Sequence, residues 1–297
     1  MSEWNETKER SNTLALSLIC WIALHLSRWF ARLWLWPISL YFYLTSPKVR
    51  FSSRRYLARV GRDRFSSFDV FHHIHHFSAV ILDRVYFLTD QFDRFDIKVY
   101  GDECLSGPIN DGKGAIFLGT HMGSFDALRC LALSQKNLRL KILMYHDHNA
   151  MITNIMNRLN PEISASVINL ADQNALLQMK EAIDEGFMVG ILGDRVLKNE
   201  KSVQCEFLGN KVNFPAGPLT LATILGVPVY TFFSIYQGGN QYEIYFSSLY
   251  EGESLARQAR IKVVEDYTQH FVDQIESMVL KHPLNWFNFY DFWGDGK

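Results

Sequence analysis

The stretch AIFLGTHMGSFDALRCLAL, residues 115–133, determines how the rest of the chain is interpreted. Its first four residues form a compact apolar run, which is typical of a buried β-strand. Gly119 and Gly123 permit a sharp turn, and Ser124 is a residue that favours the N-cap of a helix. The stretch therefore predicts a strand, a turn and a helix. His121 is expected at the carboxyl end of the strand, and Asp126 in the first helical turn.

A similar alternation continues along the chain. Further strands are predicted at residues 97–100, 140–145, 166–170, 187–192, 227–236 and 242–246. Helices are predicted at residues 49–88 (two, broken near Gly61), 149–159, 175–185, 219–225 and 254–280. The last strand is expected to pair antiparallel with the one before it. Strands that alternate with helices indicate an α/β fold with a mostly parallel central sheet flanked by helices.

The N-terminal region is unusually apolar. Residues 14–44 read LALSLICWIALHLSRWFARLWLWPISLYFYL, with no A-x-A cleavage site of a signal peptide after them. Residues 1–46 are predicted to form a membrane-associated helical segment, and residues 47–297 the main domain. Arg28 and Arg32 interrupt the apolar run, which favours an amphipathic helix lying at the lipid headgroups, kinked or ended by Pro37. A tilted span with snorkelling arginines and a helix buried in the protein's own core are the alternatives.

Composition excludes several classes of protein. A formal net charge of −1 argues against a nucleic-acid partner, since phosphate contacts require a basic excess. The four cysteines lack C-x-x-C spacing, which suits a reducing, cytoplasmic environment. The histidines of HHIHH, residues 72–76, have no ligands at metal-site spacing, and we expect them to face headgroups or solvent. The basic patch Arg54, Arg55, Arg59, Arg62 and Arg64 is either a solvated face or a surface for anionic lipid or an acidic carrier.

Three blocks carry candidate chemistry. In the first, the carboxylate of Asp126 can fix one imidazole nitrogen of His121 and leave the other as a base, so that the substrate would supply the nucleophile. In the second, GILGDR, Arg195 would bind a phosphate or carboxylate, unless Asp194 and Arg195 only form a turn. In the third, FPAGP, a rigid turn precedes a helix and could line a pocket. The candidate substrate-binding residues are Gly123, Ser124, Asp194, Arg195, Phe214 and Gly217.

These blocks resemble a known family. His121 followed by Asp126 resembles the H-x4-D signature of the lysophospholipid acyltransferase superfamily. GILGDR, FLGNKVNFPAGP and NWFNFYDFW (285–293) resemble the bacterial lipid A biosynthesis acyltransferase branch, in particular its glycolipid-acyltransferase-like members. The chain departs from the pattern in two places. FPAGP stands where glycerolipid acyltransferases have P-E-G-T, and Asp126 stands where many lipid A enzymes have Glu.

The resemblance implies a membrane-bound O-acyltransferase. It would move a fatty-acyl group from acyl carrier protein or coenzyme A to a hydroxyl of a glycolipid or lipid-like envelope precursor. The site would lie at the cytoplasmic face of a bacterial inner membrane, with no metal or cofactor. His121 would remove the hydroxyl proton, Asp126 would orient it, and backbone amides near Gly123 or Arg195 would stabilise the oxyanion. An inactive lipid-binding scaffold and a lipid hydrolase are the alternatives.

Overall fold

The computed structural model describes residues 21–294, apart from residues 22, 24–26, 62–64, 129–137, 145–158, 161–165, 198, 199 and 254. Within these residues, the central sheet has seven strands: β1 (Asp96–Tyr100), β2 (Ala115–Gly119), β3 (Arg139–Met144), β4 (Val167–Asn169), β5 (Phe187–Leu192), β8 (Val229–Gly238) and β9 (Gln241–Tyr250). Their order across the sheet is β1-β9-β8-β2-β5-β3-β4. Each strand predicted from the sequence is present, with ends shifted by a few residues.

Most neighbouring strands run parallel, as predicted. Strand β2 pairs in parallel with β5 on one side and with β8 on the other, and β3 pairs in parallel with β5 and β4. Strand β9 is antiparallel to β8, as expected for residues 242–246, and β1 is parallel to β9. The carboxyl ends of β2 and β5 therefore lie side by side at one edge of the sheet.

One element was not predicted. Residues 202–215, which end with the first two residues of FPAGP, form an antiparallel hairpin of β6 (Ser202–Phe207) and β7 (Asn210–Pro215), where only a turn was predicted. Leu208 and Gly209 link the strands, both with positive φ, which is the geometry of a tight two-residue hairpin loop. Alternating burial of Cys205, Phe207, Val212 and Phe214 shows the signal that was overlooked.

The helices flank both faces of the sheet. They are α1 (Arg28–Thr45), α2 (Pro47–Gly61), α3 (Ser67–Leu88), α4 (Ser106–Asn110), α5 (Ala175–Asp184), α6 (Gly217–Leu225) and α7 (Arg257–Lys281). The predicted break near Gly61 is confirmed, and so are the helices predicted at residues 175–185, 219–225 and 254–280. The helix predicted to contain Asp126 begins as a 3-10 turn, Phe125–Ala127. The rest of that helix, and nearly all of the helix predicted at 149–159, lie outside the described residues.

Two hydrophobic cores sandwich the sheet, because successive side chains of a strand point to opposite faces. Ile116 and Leu118 of β2 belong to the core that contains buried residues of α5, α6 and α7. Ala115 and Phe117 belong to the core that contains buried residues of α1 and α3. The strand that carries His121 is thus fully buried on both faces.

Helix α1 has a buried face and an exposed apolar face. Ala31, Leu35 and Ser39 are buried against α3. The opposite side exposes Trp29, Phe30, Leu33, Trp34, Leu40, Tyr41, Phe42 and Leu44. Pro37 does not end the helix, which continues to Thr45. Among the described residues, no helix combines the length and the apolar character needed to cross a bilayer.

The arginines of α1 face the protein and not the headgroup plane. Arg28 makes a bidentate ion pair with the fully buried carboxylate of Asp83 on α3, at 2.9 and 2.8 Å. Arg32 donates to the backbone carbonyl of Gly239 at 2.8 Å and to the hydroxyl of Tyr236. The sequence did not predict these partners, which place both arginines beside a buried anion on α3.

The HHIHH histidines also differ from expectation. His73 is buried, bonds the hydroxyl of Ser53 through Nδ1 at 2.8 Å, and donates from Nε2 to the carbonyl of Trp286 at 2.9 Å. His75 is buried between α3 and α1, 3.2 Å from the hydroxyl of Ser39. The expected exposure to headgroups or solvent is wrong for both, since each ring has a polar partner inside the fold.

Candidate active site

The sheet register brings His121 and Asp194 together. Gly119 of β2 is the parallel partner of Leu192 of β5, and each strand is followed two residues later by one of the two side chains. The amide of Gly193 donates to the carbonyl of Gly119 at 2.9 Å, so the two chains stay paired beyond the strand ends. His121 and Asp194 therefore emerge side by side at the carboxyl edge of a parallel sheet, where α/β proteins place their sites.

Asp194 is the carboxylate that holds His121. Nδ1 of His121 lies 2.7 Å from Oδ1 of Asp194, and the backbone amide of His121 donates to Oδ2 at 3.0 Å. The side chain of Asp194 is fully buried. An anionic carboxylate only accepts hydrogen bonds, so the proton of the neutral imidazole resides on Nδ1. Nε2 has no hydrogen-bond partner among the described residues, and 28% of the His121 side chain is exposed.

The charge states suit a base. Burial is the largest influence on His121 and, with the nearby Arg195, lowers its pKa against the opposing effect of Asp194. The imidazole is therefore neutral at pH 7. Burial alone would raise the pKa of Asp194, but His121 and Arg195, together with the hydrogen bonds from His121, hold it well below its usual range. The pair is poised as a neutral imidazole beside a permanent anion.

The predicted hydrogen bond between His121 and Asp126 is wrong in this structure. Asp126 is buried on the 3-10 turn, and its Oδ2 lies 2.8 Å from Nε of Arg84 on α3. Spacing in the H-x4-D motif brings the carboxylate near the histidine, but a cation on the neighbouring helix competes for it. Arg84 also lies close enough to His121 to lower the pKa of its imidazole.

The turn after β2 requires glycine at one position. Gly123 has φ of 56°, and a Cβ there would lie 1.7 Å from the carbonyl oxygen of Ser234. Its amide donates to the carbonyl of Asn285 at 2.9 Å, so it does not serve as the expected oxyanion donor in this state. Ser124 occupies the predicted N-cap position, but its hydroxyl makes no capping bond and is buried without a partner among the described residues.

Arg195 faces the C-terminal segment. We use this name for residues 285–293, which follow α7. Nε of Arg195 donates to Oδ1 of Asn288 at 2.7 Å, and its NH2 donates to the carbonyl of Phe287 at 3.1 Å. Its guanidinium also lies 5.9 Å from the centre of the Tyr290 ring. These contacts give Arg195 a part in ordering this segment, so a substrate anion would have to share it.

The two remaining candidates lie on the β6–β7 hairpin and at the start of α6. The ring of Phe214 is fully buried and packs against Phe207 and Phe292. Phe207 in turn contacts Trp286. Phe214 therefore belongs to the packing around Trp286, and its full burial does not suit direct contact with a substrate. Gly217 was predicted in the turn before the helix but is the first residue of α6, where a Cβ would approach the carboxylate of Glu200 at 2.8 Å.

Two further side chains belong to the site and were not predicted from the sequence. Nε1 of Trp286 donates to Oδ2 of Asp194 at 3.0 Å, and Nδ2 of Asn288 donates to the same oxygen at 2.9 Å. Both residues stand in NWFNFYDFW, which carried part of the family resemblance but no assigned role. An indole and an amide within one aromatic segment were the available signal, since each needs a polar partner when buried.

The fold and the site define an α/β protein with a His–Asp pair at the carboxyl edge of a mostly parallel sheet. The chain belongs to the bacterial lipid A biosynthesis acyltransferase family, whose model matches residues 81–294. This range includes His121, Asp126, Asp194 and the whole C-terminal segment. The resemblance to this branch is thereby confirmed, as is an acyltransferase acting on lipid-like substrates. A search of curated proteins found no match.

Proposed function

We propose that the protein is an O-acyltransferase in which His121 is the general base. The observation that carries this proposal is the imidazole whose Nδ1 is held by the buried Asp194 while Nε2 stays open, within a chain of an acyltransferase family. A hydroxyl on the acceptor takes the place of a protein nucleophile. No metal or cofactor takes part in this scheme.

The reaction follows from the arrangement of His121. Nε2 takes the proton of the acceptor hydroxyl while its oxygen attacks the carbonyl carbon of an acyl thioester. The C–S bond then breaks, the ester forms, and the proton passes from the imidazolium to the leaving thiolate. Asp194 stabilises the imidazolium through the hydrogen bond at Nδ1, as the aspartate does in Ser-His-Asp enzymes.

Asp126 contributes through Arg84 in this proposal. Its carboxylate holds the guanidinium of Arg84 near His121, where the cation can stabilise negative charge that develops on the carbonyl oxygen. The side chain of Arg84 is 26% exposed, so a substrate can reach it. Asp126 thus remains part of the catalytic machinery, in a role different from the one its spacing suggested.

The substrates are a thioester donor and a lipid acceptor. The family supports a lipid-like acceptor, and we propose a hydroxyl of a glycolipid or lipid-like envelope precursor. The donor is acyl carrier protein or coenzyme A carrying the fatty-acyl group. Only the thioester carbonyl and the hydroxyl enter the chemistry at His121, so both donors fit the mechanism equally.

We place the protein at the cytoplasmic face of the bacterial inner membrane, attached through the outer face of α1. Trp29, Leu33, Leu40 and Leu44 lie at helical spacing, and Trp29 is 74% exposed. An apolar, tryptophan-rich helix face of this kind partitions into the interface of a bilayer. The inner face of the same helix is occupied by α3, so only the outer face can meet lipid.

Acyl transfer tests the chemistry. Purified protein is incubated with a labelled acyl carrier thioester and a membrane lipid extract, and the acylated product is identified by mass spectrometry. His121→Gln should lower the rate by at least about 10³-fold, while His270→Gln, on the exposed side of α7, should leave it unchanged. Equal transfer by His121→Gln would overturn the mechanism. Free fatty acid released without any acceptor would instead indicate a hydrolase.

Sedimentation with anionic vesicles tests the attachment. Replacing Trp29 and Leu33 by serine should lower the bound fraction several-fold, because each loses exposed apolar area. Ile261→Ser is the matched control, since Ile261 is also an exposed apolar residue but lies on α7. Equal loss of binding in both proteins would contradict attachment through α1.

A further inference from the structure

The C-terminal segment pairs through its backbone with the turn that carries His121. Met122 and Trp286 form an isolated antiparallel bridge. The amide of Phe287 donates to the carbonyl of His121 at 2.8 Å, and the amide of Gly123 donates to the carbonyl of Asn285 at 2.9 Å. The segment therefore pairs with the catalytic turn as a short additional strand, although the two are more than 150 residues apart in the sequence.

Two side chains of the same segment donate hydrogen bonds to one oxygen of Asp194, and the backbone amide of His121 donates a third. Oδ2 accepts from Nε1 of Trp286 at 3.0 Å, from Nδ2 of Asn288 at 2.9 Å and from the amide of His121 at 3.0 Å. Oδ1 faces Nδ1 of His121. Three N–H groups on one oxygen leave the carboxylate a single orientation, in which its other oxygen points at the imidazole.

Both donors are themselves fixed. Trp286 is buried, its carbonyl accepts from His73, and its ring contacts Phe207 and Phe292. Asn288 accepts from Arg195 at 2.7 Å, which determines that its amide NH₂ and not its oxygen faces Asp194. Groups held in this way stabilise charge without reorganising during a reaction.

We propose that Trp286 and Asn288 are positioning residues of the active site, which act through Asp194 to orient His121. This inference rests on the proposed role of His121 as a base. In this role, both residues contribute to catalysis through their hydrogen bonds to Asp194. Loss of either N–H donor should alter the acid–base behaviour of His121 and not only the stability of the fold.

The chain offers a matched pair of tryptophans for the test. Nε1 of Trp293 is also buried, but it has no hydrogen-bond partner among the described residues. The two indoles belong to one aromatic cluster, with ring centres 6.3 Å apart. Trp286→Phe removes an N–H that donates to Asp194, while Trp293→Phe removes one that does not. Both changes preserve an aromatic ring in the cluster.

The expected result has a definite sign. Without the indole N–H, the anion of Asp194 is less satisfied and attracts the imidazolium form of His121 more strongly, so the pKa of His121 should rise in Trp286→Phe. The pKa is followed by NMR titration of the imidazole, with His121→Gln used to identify its signal. In acyl transfer, kcat should fall about tenfold with KM within about twofold, and the acid limb of the pH profile should move to higher pH. Trp293→Phe should show none of these changes.

Asn288→Leu provides a second, nearly isosteric variant should Trp286→Phe fail to fold. It too should raise the pKa of His121. An unchanged pKa in the folded variants, or an equal shift in Trp293→Phe, would overturn the proposal. The titration needs no turnover, so its result is independent of the proposed function. A shifted pKa in a protein that transfers no acyl group would uphold the positioning role and reject the acyltransferase mechanism.

Discussion

The two ends of the chain are both rich in aromatic residues, but they use them in opposite ways. In the C-terminal segment, Trp286 is buried and its ring N–H serves the carboxylate of Asp194. In helix α1, Trp29 and its neighbours are exposed, and the polar contacts come from Arg28 and Arg32 on the other face. The C-terminal segment completes the site, and α1 presents an apolar surface.

Helix α3 joins these two regions. His73 of α3 contacts the carbonyl of Trp286, while His75, two residues later, contacts Ser39 of α1. Further along, Asp83 holds Arg28 of α1, and its neighbour Arg84 holds Asp126 beside the catalytic turn. Adjacent residues of one helix thus serve different ends of the chain. Substitutions on α3 and at the site should separate the two functions.

The largest effect is expected at the catalytic end, for Asp194→Asn. An amide in place of the carboxylate no longer stabilises the imidazolium of His121 and can favour the wrong tautomer. We expect kcat to fall on the order of 10³- to 10⁴-fold in the acyl-transfer assay. Asp111→Asn, which changes an exposed aspartate before the start of β2, at the opposite end of the strand from His121, is the control and should keep full activity. A loss below about tenfold would show that another group orients His121.

The pH profile of the enzyme without substitutions tests whether burial or the charge of Asp194 has the larger effect on the pKa of His121. Since burial and Arg195 lower the pKa of His121, the base remains neutral to a lower pH than an ordinary histidine. The acid limb of kcat/KM should therefore fall below about pH 6.5, the usual histidine value. A limb well above this pH would mean that the charge of Asp194 outweighs burial.

At the other end of the chain, Asp83→Asn should affect stability more than chemistry. The substitution leaves Arg28 and Arg32 facing a neutral group in a mostly buried site. Breaking a buried ion pair from one side typically costs 3–5 kcal/mol, and partial exposure of the arginines reduces this to about 2–3 kcal/mol. Urea unfolding measures the loss.

Its matched control is Asp111→Asn, which removes an exposed ion pair with Lys113 and should cost less than about 0.5 kcal/mol. If α1 serves attachment and not catalysis, the folded Asp83→Asn protein should retain acyl transfer from a soluble donor to a dispersed acceptor. If Asp83→Asn lowered activity as much as Asp194→Asn does, the two ends of the chain would not have separate roles.

Substitution of Asp126 should have a smaller effect on activity than substitution of Asp194, because the two carboxylates act differently. If Asp126 acts by holding Arg84, Asp126→Asn and Arg84→Gln should each lower kcat/KM about 10- to 100-fold, and the double variant should be little worse than either. Asp126→Asn should also leave the acid limb of the pH profile where it is, apart from the small influence of Arg84. An acid limb that moves as far as in Asp194→Asn would show that Asp126 reaches His121 when substrate is bound.

Much of the fold followed from the sequence because its signals are local. Apolar runs such as 115–118 and 187–192 are buried strands, and Gly61 marks the break between two helices. His121 at the end of a strand was also predictable, since a turn with two glycines follows directly. The Leu208-Gly209 hairpin was missed although it is local, because the prolines that follow suggested a simple turn.

Residues that interact within the site lie far apart in the sequence, so the spacing of residues along the chain did not identify them as partners. Asp126, five residues from His121, was the nearest carboxylate in sequence, but β2 and β5 turned out to be neighbours and bring Asp194 to the imidazole. Knowledge of strand order would have corrected this, since both strands were predicted to end in polar residues. The charges of α1 posed the same problem, because nothing near Arg28 in the sequence identifies Asp83 as its partner.

Acid should weaken the contacts of the two ends of the chain over different pH ranges, which is the smallest effect we expect. Burial lowers the pKa of His73 to about 3 and, together with Arg32, that of His75 to about 4. In the unfolded chain both titrate near 6.5, so the unfolded state binds protons that the folded state does not. Both stabilising contributions are fully present above pH 6.5 and decline as the pH falls, toward about 4 for His75 and toward about 3 for His73. Hydrogen-exchange protection, corrected for the intrinsic exchange rate, should therefore stop falling near pH 4 in α1 but continue to fall toward pH 3 in residues 285–288. His75→Gln should weaken the pH dependence for α1 alone and His270→Gln for neither region, whereas an identical pH range for both ends would mean that α3 unfolds as one unit.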